Sequence, residues 1–429
     1  MRKKNVLNAT DIVIGRGIAG TQLALSLARR GRKVLVVANG DGATAVSSGL
    51  FDLGPGASRG NALADAWSPT SLRNATHALL LDDPAVTSLD PQAALATLTE
   101  LGGTTLPVAT AARRPFRVLA FDGTFPAAWA AQAPLAALDG ALRAGARIGV
   151  VGSRQLRLDT ASAIPFWAHH GRLAGLSPSL EPVTIELKGP DWTLEQLAAR
   201  FGADEELELA FFDKLEKAAR ESRVEALLLP PVFLDVGLEG PWARLQSRLG
   251  IPMGEFLLPG SPVPGERLRA ALARRLEEAG IPVVTANGLT AVRHKRTITG
   301  LSNEQWDLSA DRFALATGKY LGGGVRIGYV RVREPLFDLP LFRHRTEPSI
   351  AYRRLLPLAE GHPAWATLGA WGDATHRPRN EFGERLLDNV YVTGTLLGGV
   401  DFRQRRLGLG FLASLATLTA THMGTGSGS

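Results

Sequence analysis

Gly15, Gly17 and Gly20 stand at G-x-G-x-x-G spacing. Glycines so spaced suit one kind of chemistry: they let backbone N–H groups reach a phosphate. Gly15 would permit a tight turn, Gly17 would let the chain approach a pyrophosphate, and Gly20 would let a helix pack close to a strand. Ile18 and Ala19, the first residues of that helix, would present their N–H groups at the positive end of its dipole. Ser47-Ser48-Gly49 offers hydroxyl and N–H donors without bulk, as close approach to a flavin requires, and reads equally as an ordinary Ser/Gly loop. Thr317-Gly318 and Gly394, each closing an apolar run, and Gly398-Gly399 ahead of the last helix complete the small residues able to face a nucleotide.

Regular elements must hold these residues. Ile12-Val13-Ile14 ahead of the glycines reads as a buried parallel strand, and Leu23, Ala24, Leu27 and Ala28 behind them recur at helical spacing. Strand, glycine turn and helix in that order form the first βα unit of a dinucleotide-binding domain, or of a fold of that class without its ligand. Residues 33–38 predict the second parallel strand. An acid at the end of this strand ordinarily bonds the adenosine ribose. Here the positions hold Ala38, Asn39 and Gly40, with Asp41 in the loop beyond. Three options follow: FAD held by Asn39 or by backbone, a mononucleotide such as FMN, or a degraded site. NAD is the least favoured ligand.

Further along, residues 115–120 and 146–151 read as strands. Residues 165–262 are rich in Pro, Trp and acids, and include an amphipathic helix from Leu194 to Arg220 and a strand at 225–230. A helix over 264–280, a strand over 281–285, a hairpin turning at Thr299-Gly300, strands over 311–318 and 388–394, and a helix from Leu409 to Thr421 follow. The expected fold class is α/β: a Rossmann-like flavin-binding domain with a parallel sheet, plus an inserted second α+β domain. The first would comprise residues 10–160, 264–330 and 385–424, the second 161–263 and 331–384, with 425–429 a linker-like tail.

Composition narrows the function. Lys and Arg outnumber Asp and Glu 48 to 41, but the arginines are scattered, which points to an anionic small substrate or an acidic partner rather than to nucleic acid. With no cysteine in the chain, disulfides, thiol nucleophiles and iron–sulfur clusters held by this chain alone are excluded. No apolar run reaches the roughly 18–20 residues of a spanning helix. The expectation is a soluble or peripheral protein with no metal site.

Three motifs together carry a resemblance: GRGIAG with VSSGLFDL, LATGKYLGGG with REPLFDL, and NVYVTGTLLGG. ALLLPPVFLDVGL, LLPGSPVPGERLRAAL and ATHRPRN lie between them in the expected order. The set resembles the B subunit of anaerobic glycerol-3-phosphate dehydrogenase, a relative of the fumarate-reductase-type flavoproteins. The resemblance implies a bound flavin, with FMN the usual attribution. It also implies a heterodimer with a larger FAD-bearing subunit and a membrane-associated iron–sulfur subunit that passes electrons to quinone. The location so implied is cytoplasmic, at the inner face of the cell membrane. The chain departs from the family's small, glycine-rich pattern at residues 402–410, where Arg403, Arg405 and Arg406 appear.

A phosphate-bearing substrate suits arginine, whose planar fork binds phosphate bidentately. Arg333 of REP, Arg377 of HRP and Arg405 are the candidates, each also readable as a loop anchor. His376 is the candidate general base for C–OH oxidation, although a surface side chain is the preferred reading of it. No clear acid–base pair stands out. An electron-transfer or assembly subunit without catalysis of its own, or a stand-alone flavin oxidase or dehydrogenase of a small hydroxy or amino acid, are the competing readings.

Overall fold

A computed structural model describes residues 4–51, 90–111, 113–187, 191–328, 332–341, 368–398 and 408–425. The elements that matter to the site are, in chain order, β1 (Asn5–Ile14), α1 (Ile18–Ala28), β2 (Val34–Ala38), β3 (Arg147–Gly152), α2 (Thr160–Leu173), β4 (Ser179–Thr184), α3 (Glu205–Ser222), β5 (Ala226–Leu229), α4 (Pro241–Leu249), β6 (Met253–Glu255), α5 (Val263–Glu278), β7 (Val283–Thr285), β8 (Thr290–His294), β9 (Thr297–Ser302), β10 (Trp306–Leu315), β11 (Val390–Val392) and α6 (Leu409–Thr425).

Among the described residues, seven strands make the larger sheet, in the order β7-β2-β1-β10-β9-β8, with β11 joining the C-terminal part of β10. β7, β2, β1, β10 and β11 run parallel, whereas β8 and β9 form an antiparallel hairpin on the N-terminal part of β10. The strand β1 is exposed at its start and buried over Asp11–Ile14, and β2 is buried throughout. Buried parallel strands read as unbroken apolar runs, and VLVVA is one. α1 is buried from Ile18 to Leu27 because α6 covers its outer side. Both helices are apolar nearly all round, the pattern of a helix enclosed on every face. Gln22 of α1 and Arg30 just beyond its end donate to the hydroxyls of Thr417 and Thr421 of α6 at 2.9 and 3.0 Å, so polar groups of the pair face each other.

The second sheet, ordered β6-β5-β3-β4, is wholly parallel, with helices between successive strands. It is wound as α/β where a segregated α+β domain was expected. Its first strand is residues 147–152, so the second sheet begins inside the 10–160 segment assigned by sequence to the nucleotide domain. The reason is local: β3 is as apolar as β2, and only pairing tells one buried parallel strand from another. Residues 368–384, placed in the second domain by sequence, run beside the chain that follows β11 of the first sheet, with Ala370 bridged to Leu397.

Two local expectations are corrected. The helix read as continuous from Leu194 to Arg220 is two helices, Leu194–Arg200 and α3. Gly202 at φ 86° breaks it, and the Asp204 carboxylate restarts it by accepting from Leu207 N–H at 3.0 Å. The hairpin turns at Lys295, φ 53°, not at Thr299-Gly300, which lie within β9.

Candidate functional site: a cleft at the ends of the parallel strands

In an open parallel sheet the carboxyl ends of the strands leave a crevice for ligands. Here the chain just beyond β1, β2, β7, β10 and β11 lines one cleft of about 910 Å³. Gly15, Gly17, Ile18 and Ala19 come from the β1–α1 turn, and Ala38, Asn39 and Thr44 from the end of β2 and the segment after it. Ala286, Gly288 and Leu289 follow β7, Thr317 and Gly318 follow β10, and Gly394 follows β11. Five strand ends thus bring together residues scattered over most of the chain.

Glycine is required at the turn by both conformation and space. Gly15 has φ 115°, and a Cβ there would stand 2.4 Å from the carbonyl oxygen of Ala316. A Cβ on Gly20 would stand 1.9 Å from the carbonyl oxygen of Gly15, so α1 starts hard against the turn. α1 has Gly17 at its N-cap, no side-chain cap and no acid in its first turn. Thr44 Oγ1 accepts from Ile18 N–H at 3.2 Å. The other first-turn N–H groups have no intrahelical acceptor, and Ile18 and Ala19 of that turn line the cleft. The Gly322–Gly324 run lies directly on the end of β10, where a Cβ on Gly324 would meet Gly318 O at 2.0 Å.

The cleft's polar groups fit a flavin nucleotide. Among the described residues Thr317 Oγ1 is buried without a hydrogen-bond partner, an orphaned donor and acceptor beside the glycine turn. At the β2 end, Arg16 and Asp41 form an ion pair of 2.6 Å. Beyond it Val37, Ala38, Ala286 and Leu289 make an apolar end suited to a base, while Leu409 and Leu412 of α6 line the opposite end with Gly394 and Thr395. Among the described residues no cluster of His, Cys, Asp and Glu is placed to hold a metal ion. Likewise, no helix there is long and apolar enough to cross a membrane.

The remaining site residues expected from sequence fall elsewhere. Ser47 and Ser48 follow the short 3-10 turn of Gly42–Val46, and Ser48 Oγ accepts from Leu50 N–H at 3.4 Å. Gly49, φ 81°, is filled in by Leu135, Gln132 and Pro264. None of the three lines the cleft. Gly398 bonds backbone to backbone with Ala370 at 2.9 Å, while Gly399 and Arg405 lie outside the described residues.

Arg333 is exposed and paired with Asp338 at 3.0 Å, off the cleft. Arg377 lies over the ring of Tyr391 at 5.0 Å and donates to its hydroxyl at 2.7 Å, again off the cleft. His376 is not a surface side chain: it is fully buried, with Nδ1 2.7 Å from Thr419 Oγ1 of α6.

Sequence reasoning passed over Glu334, which is 1% exposed and does line the cleft. Its carboxylate accepts from the N–H groups of Leu336 and Phe337, each at 2.8 Å, and burial pushes it above the usual carboxylate range. The one available signal was an acid followed directly by Pro-Leu-Phe, a charged residue inside an apolar stretch.

Residues 11–174 match the model of the family described as FAD binding domain. A Halobacterium salinarum protein, named as the probable B subunit of an anaerobic glycerol-3-phosphate dehydrogenase, is 30% identical over 226 residues, 50% of each chain, so this chain spans about half the length of that relative. A Yersinia pestis protein, named as the B subunit of the anaerobic glycerol-3-phosphate dehydrogenase, is 28% identical over 95% of this chain and 96% of its own. Among solved structures, a flavocytochrome c3 fumarate reductase in an open conformation covers 97% of this chain and 77% of its own at 10% identity, with a TM-score of 0.41. The preference for FMN implied by the resemblance is not supported: the matched family is FAD-binding, and the cleft continues past the β2 end, where an adenosine half would lie. The chain is thus similar over nearly its whole length to proteins named as the B subunit of anaerobic glycerol-3-phosphate dehydrogenase, and within its α/β fold residues 11–174 match an FAD binding domain.

Proposed function

We propose that this chain is the flavin-bearing subunit of a glycerol-3-phosphate dehydrogenase. In this reading glycerol 3-phosphate is oxidised to dihydroxyacetone phosphate, and the electrons leave for a membrane quinone through a partner iron–sulfur subunit. The observation that carries the reading is the cleft formed by five parallel strand ends in a chain whose named relative matches it over 95% of its length. When bound, the flavin supplies the two-electron acceptor. The chain's own part is to hold the nucleotide: the glycine turn and the α1 N-terminus face the phosphates, Thr317 offers its hydroxyl, and the apolar ends exclude water.

A second reading gives this chain electron transfer and assembly, with substrate oxidised on the larger subunit. What favours it is position. His376 and Arg377 pack against α6 and β11 away from the cleft, and Glu334 spends both carboxylate oxygens on backbone N–H groups. The two readings separate in one anaerobic experiment: the purified chain, carrying its flavin, is mixed with glycerol 3-phosphate and the visible absorption of the oxidised flavin is followed. Bleaching with formation of dihydroxyacetone phosphate supports substrate oxidation on this chain. Bleaching only after the larger partner is added assigns oxidation to that partner. A chain that takes up no flavin overturns both.

A further inference from the structure

The strand β2 ends without the acid that ordinarily holds the adenosine ribose, yet the structure places a carboxylate beside that position. Asp41 lines the cleft three residues past Ala38, and its place is fixed by Arg16. Arg16 is the first variable residue of the glycine motif. From the β1–α1 turn it reaches across to the segment after β2, with Nε donating to Gly40 O at 3.2 Å and NH2 to Asp41 Oδ1 at 2.6 Å. One guanidinium therefore ties the phosphate-facing turn to the ribose-facing loop. Both side chains are about one-third exposed, 29% and 37%, and so border the open cleft rather than the core. Asn39, the residue at the strand end, is exposed.

Resting on the reading that this cleft takes a flavin nucleotide, we propose that Asp41, positioned by Arg16, is the ribose-reading carboxylate of the site and selects the dinucleotide over the mononucleotide. The physical argument is geometric. A dinucleotide with its pyrophosphate on the glycine turn and its base among Val37, Ala38, Ala286 and Leu289 must carry its ribose past the Arg16–Asp41 bridge. The carboxylate accepts from the ribose hydroxyls. The guanidinium, with N–H groups beyond those given to Gly40 and Asp41, lies on the pyrophosphate side. FMN, which carries a ribityl chain and no adenosine ribose, makes no use of Asp41.

The test is binding, not turnover. The full chain is freed of nucleotide, and its affinities for FAD, FMN and ADP are measured by fluorescence and calorimetry for the wild type, Asp41→Ala, Asn39→Ala and Arg16→Met. Loss of one charged hydrogen-bond acceptor is expected to weaken FAD and ADP about tenfold in Asp41→Ala while leaving FMN unchanged. Asn39→Ala is expected to behave as the wild type. Arg16→Met should lower FAD affinity, and adding Asp41→Ala to it should then cost less than Asp41→Ala alone, because a positioning residue and its client do not act independently.

Equal weakening of FAD and FMN by Asp41→Ala, or a selective loss in Asn39→Ala instead, overturns the assignment. So does additivity of the Arg16 and Asp41 changes. A wild-type chain without affinity for any of the three nucleotides overturns the flavin reading itself, and is told apart from the failure of this assignment by that fact. Circular dichroism of the exposed-site variants confirms that the fold is kept.

Discussion

The two larger sheets of the described residues both carry parallel strands, and only one of them keeps its crest open to a ligand in the manner just described. In the second sheet the order β4-β3-β5-β6 reverses direction between β3 and β5, the topological arrangement that in open sheets creates a crevice. Yet Phe233 and Phe256, soon after the ends of β5 and β6, are fully buried. Phe256 meets Phe121 and Trp167 at ring distances of 5.9 and 6.3 Å, and Phe233 meets Phe201 at 5.0 Å. Trp167 also donates to Phe121 O at 3.0 Å.

Two of the helices differ in the same sense, while α4, like α1, has a glycine N-cap and no acid in its first turn. α1 is capped by glycine and has no acid in its first turn, whereas Asp159 caps α2, accepting from Ser162 N–H at 3.1 Å, and Asp204 caps α3. A carboxylate at a helix N-terminus satisfies the N–H groups and the dipole internally, and a glycine leaves them for a ligand. The comparison teaches that the winding of a parallel sheet makes a crevice available, while the residues that follow the strands decide whether it stays open.

The largest expected effect is on the open crest. Gly20→Val puts a branched side chain where a Cβ already meets Gly15 O, and should cost about 3 kcal/mol or more and remove saturable flavin binding. Retention of stoichiometric flavin by this variant would break the comparison at its first term. At the closed crest, Phe256→Ala should destabilise the fold by roughly 3–5 kcal/mol in urea unfolding. Flavin affinity should stay as it was, and a loss of flavin in a folded Phe256→Ala protein would mean that the two crests are coupled.

A comparable loss of roughly 3–5 kcal/mol is expected for Arg267→Met. It strands Glu255 at the end of β6, a buried carboxylate that the Arg267 guanidinium now engages at 2.6 and 2.7 Å. Replacing both partners by apolar residues should recover much of that loss, which a double-mutant cycle would show.

Smaller effects sharpen the contrast within the cleft. Thr317→Val removes the orphaned hydroxyl and should weaken flavin binding by about 0.5–1.5 kcal/mol, read as a shift in the titration midpoint, with little change in stability. The smallest concerns Glu334. Burial raises its folded-state carboxyl above the ordinary value, so the folded protein holds that proton more tightly than the unfolded chain does. As pH rises from the ordinary carboxylate value through the raised one, this group costs the fold stability. Across that window Glu334→Gln, which does not titrate, should gain on the wild type in parallel urea titrations. A difference that stays flat with pH would show that the two backbone N–H groups already hold the carboxylate ionised.

Much of the fold was legible along the chain. The run Ile12–Ile14, the glycine spacing and the apolar helix behind it determined β1, the turn and α1, because local conformation and close packing leave few alternatives there. The apolar helix at the C-terminus was legible for the same reason. The candidate site was legible only where backbone does the work: Gly15, Gly17, Thr317, Gly318 and Gly394 face the cleft whatever their neighbours are.

Side-chain roles were not, because they depend on which elements come to lie side by side. Spacing alone cannot say that Arg333 turns to Asp338, that His376 is buried beneath α6, or that Glu334 faces the cleft. Nor can it tell that β3 begins a second sheet, since a buried parallel strand looks the same in either. By itself the sequence determined that a parallel sheet would carry a glycine turn at the end of its first strand, a matter of local sterics. Only the tertiary structure decided which charges meet at that turn, Arg16 with Asp41, and which strand ends are sealed, because those contacts join residues far apart in the chain.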